Sequence, residues 1–252
     1  MKVTFLGTGT SQGVPVIACE CEVCVSINAK DKRLRSSVMI ETEDNVFVID
    51  AGPDFRYQML RAKVKRLDAV ILTHAHKDHI AGLDDVRAFN FIQKKAIDVF
   101  AKEDVCNQIR NEFSYAFAIY KYPGVPEINL HSIVSDFTIN NIKITPINVM
   151  HMQLEIFGYR IGDFTYITDA NYISDKEKEK IKDSKVIVLN ALRKKKHVSH
   201  FNLEEAVALL EELKPERGYL THISHMMGLH QEVEKELPSF IKIAYDMLTI
   251  EI

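Results

Sequence analysis

The sequence predicts an α/β fold in which β-strands alternate with α-helices along the chain. Apolar, β-branched segments of strand length recur at 2–6, 36–41, 46–49, 68–72, 142–149, 157–161, 164–168, 185–189 and 217–221. Helical patterns lie between them, at 54–62, 83–94, 103–116, 175–182 and 228–236. No linker rich in Gly, Ser or Pro separates these segments, so we expect one domain over residues 1–252.

The most clearly delimited helix begins after Asn202. Asn202 is a favourable N-cap residue, and Glu205 occupies the capping-box position three residues later. Apolar residues then follow at helical spacing, and Pro215 stops the helix.

Composition and charge exclude several classes of protein. With 46% hydrophobic and 27% charged residues, the chain can bury a large core, which excludes disordered and fibrous proteins. No apolar run approaches the roughly 18 residues of a membrane-spanning helix, and the N-terminal residues lack the apolar stretch of a signal peptide. We therefore expect a cytoplasmic protein without membrane association.

Possible partners are also constrained by charge. A formal net charge of -3 gives no general attraction to nucleic acid, so we do not expect a nucleic-acid partner. The sequence leaves the oligomeric state open, a homodimer included.

Three of the four cysteines are crowded into Cys19-x-Cys21-x-x-Cys24, whereas Cys106 stands alone. Three thiols within six residues form a poor disulfide framework and a good metal chelate. The alternative is a set of reduced, buried cysteines.

Four apolar segments end at a residue that can bind a metal. These residues are His74, His151, Asp169 and His222. Any single histidine of this kind could merely form a hydrogen bond at a strand end, but four such endings together favour a metal centre.

The first of these endings continues as His74-x-His76-x-Asp78-His79. In an extended segment, His74 and His76 project to the same side and can reach one ion. A following turn would direct Asp78 and His79 toward a second ion. A carboxylate such as Asp169 can bridge two ions about 3.5–4 Å apart, the spacing found in two-metal hydrolases.

The segments HAHKDH at 74–79 and IDAG at 49–52 resemble the metallo-β-lactamase superfamily. The resemblance implies a four-layer αβ/βα sandwich of two mixed β-sheets. It also implies two divalent ions, zinc or manganese, with these ligands: His74, His76 and His151 for the first, Asp78, His79 and His222 for the second, and Asp169 for both. Asp78 is counted among the catalytic residues as well. Asp50 would either orient a ligand histidine or cap the turn at Gly52.

A narrower resemblance comes from GTGTSQGVP at 7–15, CECEVC at 19–24, RLRSS at 33–37 and THISH at 221–225. The glycine spacing of the first segment does not match a dinucleotide-binding fingerprint. Together the four segments resemble the PhnP-type cyclic phosphodiesterases of the phosphonate pathway. This resemblance implies a knuckle at 19–24 in which Cys19, Cys21, Cys24 and His225 hold a structural zinc ion in a closed tetrahedral site.

The same resemblance makes His200 the active-site histidine that is not a metal ligand. We expect it at an exposed loop end, where it could donate a proton to a leaving oxygen. The alternatives are a structural histidine that flanks the helix, and His197 as the proton donor.

The expected function is that of a dinuclear metal-dependent hydrolase, specifically a phosphodiesterase of small phosphodiesters, cyclic ones included. One alternative is an RNA endonuclease of the tRNase Z type, which the acidic chain disfavours. A lactone or thioester hydrolase ranks lower, because these enzymes depend less on a cysteine-rich knuckle. A non-catalytic metal-binding scaffold ranks last, because all seven expected ligands are present.

Overall fold

The computed structural model describes residues 1–252 and contains two β-sheets of seven strands each. In the order of pairing, the first sheet consists of β14 (Thr249–Glu251), β1 (Lys2–Gly7), β2 (Ser37–Glu41), β3 (Val46–Ile49), β4 (Ala69–Ile71), β5 (Ile97–Ala101) and β6 (Ile128–Ser132). The second sheet consists of β13 (Ile241–Ile243), β12 (Arg217–Thr221), β11 (Val186–Asn190), β10 (Phe164–Ile167), β9 (Leu154–Ile161), β8 (Ile142–His151) and β7 (Phe137–Ile139).

Nine α-helices connect the strands: α1 (Glu22–Val25), α2 (Phe55–Arg61), α3 (Lys77–Ile80), α4 (Arg87–Gln93), α5 (Glu103–Glu112), α6 (Ser114–Phe117), α7 (Asp175–Ile181), α8 (Leu203–Leu213) and α9 (His230–Lys235). Short 3₁₀ helices occur at Ala29–Asp31, Leu83–Val86 and His225–Met227. None of the helices combines the length and the apolar character needed to cross a membrane.

Three large clusters of buried apolar side chains define four layers. Between the sheets, Phe5 and Phe47 of the first sheet belong to the same buried cluster as Tyr159 and Tyr166 of the second. Residues of α2 to α6 cover the outer face of the first sheet, and residues of α7 to α9 cover that of the second. The order of layers is therefore helix, sheet, sheet, helix, which confirms the expected sandwich.

Both sheets are mixed, as expected. Strands β3 to β6 pair in parallel, and so do β10 to β13, while the remaining pairs are antiparallel. Because β8 and β10 each pair antiparallel with β9, they run in the same direction. The C-terminal ends of β8, β10 and β12 therefore meet at one edge of the second sheet, which is the usual location of sites in α/β folds.

All nine segments expected to be strands are strands, and the predicted helical regions are helical, with shifted ends and two interruptions. The region 83–94 divides into a 3₁₀ helix and α4, and 103–116 divides into α5 and α6. The capping box of α8 is complete, since Asn202 and Glu205 each accept a hydrogen bond from the other's backbone N–H, at 2.8 and 3.0 Å.

Five strands were not predicted: β5, β6, β7, β13 and β14. Each has only three to five residues, and β13 and β14 alternate exposed and buried positions. Such short alternating segments are stabilised by pairing with a neighbouring strand and give too little signal on their own.

Gly52 of the IDAG segment allows the backbone after β3 to touch the backbone of α3. A Cβ atom at this position would lie 1.8 Å from the carbonyl oxygen of Asp78. In addition, the backbone N–H of Ala51 donates to the carbonyl of His79 at 2.8 Å. Close packing of the two segments therefore requires glycine at position 52.

We expect Gly52→Ala to displace α3 and to destabilise the protein by about 1–3 kcal/mol, the usual effect of overpacking. Because α3 carries Asp78 and His79, metal binding should fall as well. Thermal unfolding and metal content measure both effects. Gly162→Asn is the matched control, because Gly162 lies in a turn at φ 58° where an added Cβ meets no atom and asparagine tolerates that backbone. Wild-type stability and metal content in Gly52→Ala would contradict this interpretation.

Candidate metal centre and active site

The ends of strands from both sheets bring the predicted ligands together. His74 follows β4 by three residues, His151 is the last residue of β8, Asp169 follows β10 by two, and His222 directly follows β12. The ligand atoms of two groups each lie within 4.8 Å of one another: His74, His76 and His151 in one group, and Asp78, His79, Asp169 and His222 in the other. The resemblance implied the same residues, but it counted Asp169 with both groups, whereas these distances place it with the second.

Asp169 lies between the two groups, and its two carboxylate oxygens face different sides. Oδ1 is 3.4 Å from His79 Nε2 and 3.1 Å from His222 Nδ1. Oδ2 is 3.9 Å from His74 Nε2 and 3.2 Å from His200 Nε2. The carboxylate is buried, and a left-handed backbone (φ 59°) directs it inward. This is the arrangement expected of a ligand shared by two ions.

Asp50 orients the ring of His79 through Nδ1, the nitrogen that does not face Asp169. The Asp50 carboxylate accepts a 2.7 Å hydrogen bond from His79 Nδ1 and two more from the backbone N–H and the hydroxyl of Thr73. The predicted contact between Asp50 and a ligand histidine is thus present. It leaves Nε2 of His79 directed toward Asp169.

Two further rings are also held through Nδ1. His151 Nδ1 donates to the backbone carbonyls of Asp169 and Ser199, at 2.7 and 2.9 Å. His74 Nδ1 lies 3.0 Å from the hydroxyl of Thr73. In both histidines Nε2 remains available to a ligand.

The donor atoms fit divalent cations. Nε2 of His74 and Nε2 of His79 are buried without a hydrogen-bond partner, which is costly unless another group binds them. Burial by itself would lower the pKa of His79, but Asp169, Asp50 and Asp78 together hold it well above its ordinary value. Such an excess of buried carboxylates, combined with unpaired imidazole nitrogens, is the donor set that zinc and manganese prefer.

His200 lies beside both groups. Its ring centroid is 4.8 Å from that of His151 and 5.0 Å from that of His222. The expectation of an exposed loop end is wrong, since His200 is only 9% exposed. The reason is that its ring packs against two rings at the strand ends. His200 also forms a third candidate ligand group with His151 and Asp169, whose ligand atoms lie within 4.8 Å of one another.

His197, the alternative proton donor, contacts His200 and Ser199 and not the two ligand groups. Its Nδ1 is 3.3 Å from His200 Nδ1 and 3.1 Å from the hydroxyl of Ser199, and the residue is half-buried. The structure thus places His200, and not His197, in contact with Asp169.

The knuckle cysteines converge on His225. The Sγ atoms of Cys19 and Cys21 lie 3.3 Å from His225 Nδ1, and that of Cys24 lies 3.6 Å from it. Zinc ligands at tetrahedral angles would place sulfur and nitrogen about 3.6 Å apart, so the cluster fits a zinc ion. Cys106 is buried elsewhere, against the carbonyls of Ala101 and His131.

The thiols of the knuckle differ in their electrostatic environment. The backbone N–H of Cys24 lowers the pKa of Cys21 to about 6, whereas burial raises the pKa of Cys24 to about 11. A bound cation would favour the thiolate form of all three, because thiolates are the form that binds zinc.

Cys21→Ser should remove about one zinc ion per chain and lower the thermal stability, because a hydroxyl is a poor replacement for a thiolate ligand. Elemental analysis and thermal unfolding measure these changes. Cys106→Ala is the control: it removes a buried thiol without touching the knuckle and should keep the full zinc content. Equal zinc content in wild-type and Cys21→Ser protein would reject the assignment.

Four hydroxyl residues of the site were not predicted from the sequence: Ser36, Thr73, Thr168 and Ser199. Ser36 Oγ lies 3.2 Å from His222 Nδ1, and Ser199 Oγ lies 2.9 Å from His200 Nδ1. For Ser36 and Ser199, only the adjacent residues indicated a place in the site: Ser36 belongs to the RLRSS segment, and Ser199 precedes His200.

Comparison with known proteins agrees with this geometry. Residues 45–223 match the family described as Beta-lactamase superfamily domain. A solved structure of a diphosphatase from the PhnP family superposes with a TM-score of 0.93, at 38% identity, covering 100% of this chain and 97% of that one.

Two curated relatives are longer than this chain. An octanoyltransferase of Porphyromonas gingivalis is 39% identical over 98% of this chain and 51% of its own length. A ribonuclease Z of a Nostoc species is 27% identical over 65% of this chain and 47% of its own length. The chain therefore spans about half the length of these relatives. The family match and the full-length similarity to the solved structure show that the chain belongs to the metallo-β-lactamase superfamily and, within it, to the PhnP family.

Proposed function

We propose that the chain is a dinuclear metal-dependent hydrolase that cleaves phosphodiesters of small molecules, cyclic ones included. The observation that carries this proposal is the position of Asp169, whose two oxygens face two separate ligand groups. The similarity to the diphosphatase and to ribonuclease Z supports it, because both names describe cleavage of a bond to phosphorus.

Two divalent ions at this site would supply an activated water at neutral pH and balance the charge that develops on the phosphoryl group. His74, His76 and His151 would hold one ion, and Asp78, His79 and His222 the other, with Asp169 shared. Asp50 would keep the ring of His79 in place. The backbone carbonyls that accept hydrogen bonds from Nδ1 of His151 would do the same for the ring of His151.

In this proposal His200 donates the proton to the leaving group. As the P–O bond breaks, the leaving oxygen takes the electron pair of that bond and the proton from Nε2 of His200. Nε2 already points into the centre, 3.2 Å from Asp169 Oδ2. Such assistance matters for poor leaving groups such as alkoxides, and far less for nitrophenolate.

The charge balance of the basic run at 193–196, which precedes His197 and His200, favours a small substrate over RNA. Lys194 forms an ion pair with Glu236 at 2.7 Å, and Lys196 lies 3.7 Å from Glu205. The guanidinium of Arg193 donates to the carbonyls of Lys195 and Lys196. Two of the four positive charges are thus paired with carboxylates of the chain, which weakens the attraction of the run for a polyanion.

A second candidate function is hydrolysis of a diphosphate linkage, favoured by the whole-length similarity to the PhnP-family diphosphatase. The reaction would use the same residues, but a phosphate leaving group needs less protonation than an alkoxide. Dependence on His200 would therefore be weaker.

A substrate panel tests the proposal. Metal-loaded protein is assayed with bis-p-nitrophenyl phosphate, cyclic nucleotides, cyclic ribose phosphates, a nucleoside diphosphate sugar, a lactone, an octanoyl thioester and a tRNA precursor. We expect the highest kcat/KM on a small phosphodiester. Preference for the diphosphate sugar would support the second candidate, and cleavage of only the lactone, the thioester or the tRNA would reject both.

A further inference from the structure

We infer that Ser199 is a positioning residue, whose hydroxyl fixes the orientation and the tautomer of His200 so that the ring presents an Nε2 proton to the reaction centre. The catalytic consequence rests on the function proposed above, whereas the orientation of the ring can be measured without it.

The contacts of Ser199 are divided between side chain and main chain. Its Oγ lies 2.9 Å from Nδ1 of His200, and its carbonyl oxygen accepts a 2.9 Å hydrogen bond from Nδ1 of His151. One residue thus contacts a proposed metal ligand through its backbone and the proposed proton donor through its side chain. A side-chain substitution can change the second contact and leave the first in place.

The partners of the His200 ring determine its tautomer. Nε2 faces the carboxylate of Asp169 at 3.2 Å, and because a carboxylate only accepts hydrogen bonds, this contact favours the tautomer with the hydrogen on Nε2 without fixing it alone. In the neutral ring Nδ1 is then an acceptor, and the hydroxyl of Ser199 can donate to it. Ser199 is only 7% exposed, so little water is available to take its place.

His197 is the alternative partner of the hydroxyl. Its Nδ1 lies 3.1 Å from Ser199 Oγ, slightly farther than Nδ1 of His200. Because the hydroxyl has a single hydrogen, it can donate to only one of the two rings at a time. The shorter distance and the tautomer favoured by Asp169 both indicate donation to His200.

The first measurement is the tautomer itself. In zinc-loaded protein labelled with ¹⁵N-histidine, the ring nitrogen shifts of His200 are recorded at pH 8, and the signal is assigned from its loss in His200→Gln. We expect the Nε2–H form in the wild type and in Ser199→Thr, which keeps the hydroxyl. Ser199→Ala should contain a substantial fraction of the Nδ1–H form. An unchanged tautomer in Ser199→Ala would overturn the inference and indicate that the hydroxyl serves His197.

The second measurement is the ratio of kcat/KM for an alkyl phosphodiester to that for bis-p-nitrophenyl phosphate. Loss of one hydrogen bond to the ring should lower this ratio about 3- to 10-fold in Ser199→Ala, and Ser199→Thr should restore it. Metal content should stay unchanged, because the backbone contact to His151 remains. Ser184→Ala, which removes another buried serine hydroxyl bonded to Thr165, is the control and should not change the ratio.

The outcomes separate this inference from the proposed function. A ratio that changes in His200→Ala but not in Ser199→Ala rejects only the role of Ser199. If the ratio changes in neither variant, His200 is not the proton donor, and the tautomer measurement still decides whether Ser199 orients the ring. An equal loss on both esters in Ser199→Ala would show a general structural effect and overturn the positioning role.

Discussion

Replacing Asp169 is expected to lower turnover of every phosphodiester substrate by about 10³-fold or more, since its carboxylate oxygens face both proposed ligand groups. Alanine in the left-handed backbone at position 169 adds a strain of roughly 1–2 kcal/mol. Asparagine avoids that strain, because it tolerates this conformation and has nearly the same shape. Asp169→Asn is therefore the sharper variant, measured by steady-state kinetics together with metal content.

The control for Asp169 is Asp163→Ala, a change at an exposed carboxylate that pairs with Lys185. This variant should retain wild-type activity. If Asp169→Asn keeps more than about a tenth of the wild-type turnover while remaining folded, the carboxylate does not hold two ions in the reacting enzyme.

His200→Ala is expected to slow hydrolysis of alkyl or ribosyl phosphodiesters about 10²- to 10⁴-fold, the usual effect of general acid catalysis. Hydrolysis of bis-p-nitrophenyl phosphate should slow far less, because nitrophenolate leaves without a proton. We assign this role to His200 because its Nε2 lies 3.2 Å from the carboxylate of Asp169, beside the proposed metal ligands. The metal content should be unchanged, because His200 is not among the residues proposed to hold the two ions.

Comparison with His197→Ala decides between the two histidines. We expect His197→Ala to change the two esters almost equally, because His197 contacts His200 and not Asp169. A leaving-group effect in His197→Ala alone would identify His197 as the donor. An equal loss on both esters in His200→Ala, with metals still bound, would mean that His200 positions the substrate and donates no proton.

The clustering of the candidate ligands could be predicted from the sequence because four of the seven, His74, His151, Asp169 and His222, stand at or just after the end of an apolar strand. The β-branched residues of β4, β8, β10 and β12 indicate where these strands end. Folding brings the four ends together independently of the loop sequences. The knuckle was predictable for a different reason: three cysteines within six residues have few structural uses other than binding a metal.

Other features depend on contacts between distant residues, which a single sequence does not reveal. Ser36 and His222 are 186 positions apart, and a serine is too common a residue to indicate such a contact in advance. The burial of His200 has the same origin. The loop sequence RKKKHVSH is strongly polar, but the rings of His151 and His222 cover the last histidine.

The most direct test of the central claim is a metal titration followed by turnover. Protein treated with a chelator mild enough to leave the zinc proposed for the knuckle in place is titrated with manganese or zinc, and the initial rate on bis-p-nitrophenyl phosphate is recorded at each step. We predict that the rate rises to a plateau at two equivalents per chain, because the groups that share Asp169 bind one ion each. A plateau at one equivalent, or no turnover at any metal concentration, would contradict a dinuclear hydrolase.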